Sequence, residues 1–330
     1  MEQRMVRRVS GWKPACAGAA AALLALALAG CINVGPFPPE GLERVVVEKS
    51  GHWMETNRIA LIEVGGFIAS EPGFWTLLGG TSVADVQQKL QLAAADSRVR
   101  AIVLRINSPG GEASASDLIY QEVLRFKETS GKPVVAALMG TAASGGYYTA
   151  LSADCIVASP TTITGSVGVI MDLINMEKLY GKLGLESVVI KSGEKKDIGS
   201  PTRPMTPEER EILQGLNRAL FDQFLAKVRE RRPAMDEQQL KTVSDGRVMS
   251  AQDALQLKLV DRVGYLRDAI QTACSLAKIE SADVVLYRST ASYNSNIYAQ
   301  AGTGLLLEEG LDMLLLRRGP TFLYLWAPGL

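Results

Sequence analysis

The stretch Met139-Gly140-Thr141-Ala142-Ala143-Ser144-Gly145-Gly146-Tyr147-Tyr148 sets one serine among small residues, after an apolar run at 133–138 and ahead of a helical pattern. Small neighbours let the backbone turn sharply and let a substrate approach closely. The helix start adds unpaired amides and a positive dipole end, which favour the negative charge that develops on an attacked carbonyl. This chemistry makes Ser144 a candidate nucleophile. The plainer reading is a serine that only caps the helix. Asn107-Ser108-Pro109-Gly110-Gly111 closes an earlier apolar run at 99–106. There the amides of Gly111 and Gly145 could together form an oxyanion hole, which is worth about 3 kcal/mol to a transition state. A plain turn is the competing reading of that segment.

A serine nucleophile needs a base. His52 is the one histidine, and it precedes the first long apolar run, far in sequence from the Ser144 loop. Lysine is then the available alternative, provided its amine is neutral, which burial and apolar surroundings promote. Lys191, Lys195 and Lys196 all follow an apolar run at 187–190, and the residues by themselves leave the three open. Ser166, in Thr164-Gly165-Ser166-Val167-Gly168, could accept a hydrogen bond that positions the amine, or be a turn serine.

Positioning these residues falls to an alternation of two kinds of segment. Strand-length apolar runs at 58–67, 99–106, 133–138, 155–158 and 187–190 are separated by stretches with helical spacing at 83–95, 115–127, 145–151 and 176–183. Runs of Val, Ile and Leu that do not alternate with polar residues predict strands buried on both faces, hence an α/β fold with a largely parallel sheet under helices. Past Pro201 the pattern turns helical. Thr206-Pro207-Glu208-Glu209 supplies a cap, a first-turn proline and acidic residues for a helix that ends near Arg232, before Pro233. Further helices are expected after Ser250 and from Leu266. The polar stretch 289–304 reads as a loop, and the apolar segments 305–316 and 322–326 are too short to span a bilayer.

The N-terminus carries an address. Arg4, Arg7, Arg8 and Lys13 precede an apolar run at 15–29 that ends in Leu28-Ala29-Gly30-Cys31. Charge followed by a short apolar core is the order of an export signal. The small residues before the cysteine resemble a lipobox, which makes Cys31 the lipidated first residue of the mature chain; an uncleaved signal anchor is the alternative. Both put the body outside the cytoplasm, on a bacterial membrane. The division expected is a signal peptide over 1–30, a lipidated tether over 31–57, a catalytic domain over 58–288, and a linker with an apolar tail over 289–330. Lys plus Arg and Asp plus Glu number 35 each, so no net field invites nucleic acid. The cysteines Cys16, Cys31, Cys155 and Cys274 form no CxxC pair, so neither a metal nor a cofactor is expected.

Several stretches in one order carry a family resemblance: 106–114 (INSPGGEAS), 139–150 (MGTAASGGYYTA), 164–169 (TGSVGV), 191–206 (KSGEKKDIGSPTRPMT) and 245–264 (DGRVMSAQDALQLKLVDRVG). They resemble the signal peptide peptidase A family in its short form, with one catalytic domain per chain. That resemblance implies a ClpP/crotonase-like fold of stacked βα turns with a helical C-terminal extension, and a Ser/Lys serine endopeptidase. It implies Ser144 as nucleophile, Lys196 as general base, Gly111 and Gly145 as oxyanion donors, and Ser166 as the residue orienting the lysine. It also implies a homo-oligomer in which serine and lysine can come from adjacent subunits, and remnant signal peptides as substrates. Two other functions stay in view: a catalytically inactive lipoprotein scaffold, and an acyl-CoA enzyme of the crotonase kind, against which an export signal argues.

Overall fold

A computed structural model describes residues 42–51, 55–71, 79–289 and 322–326. Cys31, His52 and the segment read as an export signal lie outside them. The central strands are β2 (Arg58–Ala69), β4 (Val99–Glu112) and β5 (Val134–Ala143), all mutually parallel, with Ile62 beside Leu104 and Leu104 beside Ala136. β6 (Cys155–Ala158) and β9 (Arg262–Val263) continue the parallel order beyond β5, and β10 (Asp283–Ser289) lies parallel on the far edge of β2. Successive residues of a strand point to opposite faces. Ala60, Ile62, Val64, Ile102, Leu104 and Ile106 therefore face one core, and Ile59, Leu61, Ala101 and Val103 the other.

Both faces are covered, which is why these strands read as unbroken apolar runs. The first face carries α1 (Val83–Ala95), α2 (Ala113–Ser130), α3 (Gly145–Ala150) and α5 (Pro207–Arg231), whose Val86, Ile119, Tyr148 and Phe224 are buried in it. The second face is closed by α8 (Leu266–Leu276) through Leu266, Ala269 and Ala273. Between them in sequence lie α4 (Glu177–Lys182), α6 (Glu237–Val243) and α7 (Ala251–Gln256). Two short strands complete the site's frame: β7 (Ile163–Gly165), parallel to the end of β5, and β8 (Val248–Ser250), antiparallel to β7. β3 (Thr81–Ser82) pairs with the end of β2.

Helix α5 starts and stops where its chemistry says. Thr206 accepts from the Glu209 amide and the Glu209 carboxylate accepts from the Thr206 amide, a reciprocal cap, with Pro207 in the first turn. Three expectations need correcting. Residues 187–190 form no strand: no neighbour among the described residues offers them a ladder, and their side chains stay exposed. The tether expected to reach residue 57 ends sooner, because β1 (Leu42–Glu48) pairs antiparallel with β10. Finally, part of the tail belongs to the sheet. β11 (Leu323–Leu325) lies antiparallel to the end of β4.

Candidate active site

Ser144 is held by the sheet rather than by its own loop. Ala143 is in register with Gly165, and the Ser144 amide donates to the Gly165 carbonyl at 2.8 Å. The chain then leaves β5 for α3 through Ser144 itself, at φ 52°. That conformation disfavours a residue with a Cβ and stores about 1–3 kcal/mol, so surrounding structure must impose it. The side chain is 1% exposed, and its Oγ is buried with no hydrogen-bond partner among the described residues. The capping alternative is thereby removed, since no cap bond from the Ser144 side chain is made. A buried hydroxyl left without a partner loses on the order of 1–3 kcal/mol of solvation, and this one stands ready for a proton acceptor from outside its own segment.

The glycines around it are there because nothing larger fits. A Cβ on Gly145 would lie 2.4 Å from the Ser116 Oγ and 3.2 Å from the Gly111 nitrogen, so Gly111 and Gly145 stand against one another. A Cβ on Gly111 would strike the Ile68 backbone at 2.1 Å. The turn before them is tied by Ser108, which donates to the Gly66 carbonyl at 2.6 Å and accepts from the Gly110 amide at 3.0 Å. Ser166 comes one residue after the Gly165 partner of Ala143, so it runs beside Ser144; it too has φ 52° and is 8% exposed. Its amide donates to the Arg247 carbonyl at 2.7 Å. Ser166 also lines a cavity of roughly 380 Å³ with Val167, Ile170, Asn217, Phe221 and Leu325.

The three lysines are sorted by their partners. Lys191 Nζ donates to Asp197 Oδ1 at 2.6 Å and to the Glu194 carbonyl at 2.9 Å. Lys195 Nζ donates to Glu208, which holds its amine above the ordinary lysine range. Asp197 is kept well below the usual carboxylate range, first by Arg203 and then by Lys191. A cation so paired is a poor proton acceptor. Lys196 is the one of the three whose amine makes no ion pair or hydrogen bond among the described residues. It is exposed, however, and no bond joins it to Ser144, so one chain brings together Ser144, Gly111, Gly145 and Ser166 but leaves Lys196 outside.

What the sequence reading missed is an aromatic pocket beside the loop. Tyr148 stacks on Tyr324 with ring centres 5.2 Å apart, Phe224 lies 4.8 Å from Tyr324, and Tyr120 meets Tyr148 edge-on at 5.5 Å. Tyr148 donates to Asp117 Oδ1 at 2.6 Å, and burial followed by that carboxylate pushes its phenol well above the ordinary range. The signal available was Phe322-Leu323-Tyr324-Leu325-Trp326, a β-prone run with no polar break.

Comparison with known proteins follows the same lines. The model of peptidase family S49 matches residues 126–280, and that of Clp protease matches 79–161. With the parallel sheet and its βα turns, the second match makes the fold ClpP-like. A protein of Synechocystis sp. named as a candidate protease is 40% identical over 229 residues, which are 69% of this chain and 78% of that one. Serine protease SPPA, chloroplastic, of Arabidopsis thaliana is 36% identical over 225 residues, 68% of this chain. A candidate protease of Methanocaldococcus jannaschii is 41% identical over 192 residues, 58% of this chain. The matched region is 33% of the Arabidopsis protein and 61% of the Methanocaldococcus one.

Proposed function

This chain belongs to peptidase family S49, in the signal peptide peptidase A group, and we propose that it is a serine endopeptidase in which Ser144 attacks the peptide carbonyl and Lys196 of an adjacent copy is the base. The observation that carries the proposal is the buried, unpartnered Ser144 Oγ at a backbone turn pinned by two strands and walled by glycines. In the first half-reaction the Ser144 Oγ bonds to the carbonyl carbon while its proton passes to the Lys196 amine. The amides of Gly111 and Gly145 receive the oxyanion. Collapse breaks the C–N bond, and the lysine returns the proton to the departing amine. Water, deprotonated by the same lysine, then hydrolyses the acyl-enzyme. Ser166, buried beside Ser144 at the same backbone angle, is suited to orient the incoming amine.

Recruitment of the lysine from a second subunit is favoured by what surrounds it. Leu183, Leu185, Val188, Val189 and Ile190 are exposed, with Val188 at 78% and Ile190 at 97%. An apolar patch of this kind is a surface for association, and burial there would also exclude water from Lys196, the condition for a neutral amine. Membrane tethering through a lipidated Cys31, on the extracytoplasmic side, and remnant signal peptides as substrates complete the proposal. A tether raises the local concentration of membrane-held peptides. The scaffold alternative is not favoured, because an inert protein has no need of a strained, partnerless serine.

The test uses two inactive proteins. A fluorophosphonate probe is expected to label the native chain and not Ser144→Ala. Mixing Ser144→Ala with Lys196→Ala and letting subunits exchange should restore peptide hydrolysis, since some interfaces then hold an intact serine and an intact lysine. Full activity in either variant alone would remove the dyad.

A further inference from the structure

The groove beside Ser144 is not empty: the chain's own residues 322–326 lie in it as an extended strand. On one edge the register sets Leu323 against Glu112, Tyr324 against Gly111 and Leu325 against Gly110. The Ala113 amide donates to the Phe322 carbonyl at 3.2 Å and the Trp326 amide to the Pro109 carbonyl at 2.8 Å. On the other edge Ile170 exchanges two bonds with Leu323, at 2.9 and 3.0 Å. A strand bonded on both edges by a groove is how peptides dock by strand addition, with backbone bonds giving affinity and alternate side-chain pockets giving selectivity.

The position of one carbonyl gives the arrangement its meaning. The Tyr324 oxygen lies 1.9 Å from where a Cβ on Gly110 would be and 3.0 Å from where one on Gly145 would be, and Gly111 is its register partner. The Tyr324 oxygen therefore stands beside both glycines whose amides are assigned to the oxyanion. The Tyr324 ring is buried against Tyr148 and Phe224, and its hydroxyl donates to the Leu220 carbonyl at 2.9 Å. The next residue, Leu325, lines the cavity that also holds Ser166 and Ile170.

We infer that residues 322–326 are a built-in pseudo-substrate, which competes with external peptides for the groove and marks its selectivity: an aromatic side chain in the Tyr148–Phe224 pocket, with its carbonyl at Gly111 and Gly145. The inference rests on the peptidase reading of Ser144 for its catalytic consequence, and on the strand pairing alone for occupancy. An occupant on the same chain acts at an effective concentration on the order of a millimolar, so a segment that binds at about a tenth of that raises the apparent KM about tenfold.

The test compares the full chain with one ending at Thr321, using an apolar peptide substrate. The truncated chain is expected to show a KM about tenfold lower with kcat little changed. A synthetic Phe-Leu-Tyr-Leu-Trp peptide should inhibit it competitively, and the same peptide with Ala in place of Tyr should be about tenfold weaker, a difference of about 1.4 kcal/mol. Leu323→Pro in the full chain deletes an N–H bonded to Ile170 while keeping Tyr324, and it should lower KM in the same direction. Equal KM values in all three chains, with no inhibition by the peptide, overturn the inference. Hydrolysis that persists in Ser144→Ala overturns the peptidase reading instead, and fluorescence anisotropy of the labelled peptide on the truncated chain still reports whether the groove takes it.

Discussion

The two halves of the proposed dyad sit in opposite kinds of structure. Ser144 is clamped between β5 and β7 on a close-packed sheet, with its conformation imposed by neighbours that leave no room for a methyl group. Lys196 sits on a segment without strand pairing among the described residues, beside apolar side chains that face solvent. A catalytic serine has to be aimed to within a fraction of an ångström before substrate arrives, and a rigid core does that best. A catalytic lysine has to be kept dry, and a surface that becomes buried only on assembly can make that state conditional. On the proposed mechanism the nucleophile is a property of the fold and the base a property of the assembly.

The sharpest way to break this comparison is to remove each partner. Ser144→Ala and Lys196→Ala are each expected to lower kcat/KM by on the order of 10⁴-fold. Their stabilities should part company from their activities. Ser144 Oγ makes no hydrogen bond among the described residues, so Ser144→Ala should melt within a few degrees of the native chain by circular dichroism. A large loss of Tm would mean that the hydroxyl is structural.

Next in size is an attack on the surface that is proposed to bury the lysine. Ile190→Asp places a charge on the most exposed apolar side chain of the segment. Sedimentation should show smaller species and activity should fall about a hundredfold, while the melting of the single-chain core stays put. An oligomer that survives with full activity would move the interface elsewhere. Gly145→Ala probes the opposite half. Its methyl group meets Ser116 Oγ at 2.4 Å, so it should cost about 1–3 kcal/mol of stability and reduce turnover without altering subunit number.

These contrasts explain what was legible in the sequence. The start and end of α5 were legible because a cap, a proline and a terminal charge pattern act within a few residues. The Ser144 loop was legible for a similar reason, since small residues at 140–146 describe a tight backbone whatever surrounds it. The failed strand at 187–190 has the right composition, but a ladder needs a partner, and partners are set by topology. β1 and β11 were missed on the same ground: each becomes a strand only because β10 or the end of β4 lies free beside it. The choice among three lysines was undecidable locally, because Glu208, which occupies Lys195, arrives from the start of a helix thirteen residues on.

The smallest expected effects lie where the lysine segment is tied to the core, at the first turn of α5. Arg203 bonds Asp197 at 2.9 Å and Glu209 Oε2 at 2.9 Å, and Glu209 is buried. Arg203, and then the Thr206 amide, lower the Glu209 carboxyl from 4.5 to about 2. A folded-state value below the unfolded one means that the carboxylate stabilises the native chain fully above pH 4.5, and that this contribution is lost as the pH falls toward about 2. Glu209→Gln should therefore flatten the acid limb of the stability curve between those values and leave its shape above pH 6 unchanged. Because the same carboxylate anchors Arg203, the variant should also speed hydrogen exchange across 191–203 at neutral pH. Hydrogen exchange at the Ser144 and Gly145 amides should not change. If those amides exchange faster in step with the segment, the serine half depends on the lysine segment within one chain, and the division between fold and assembly fails.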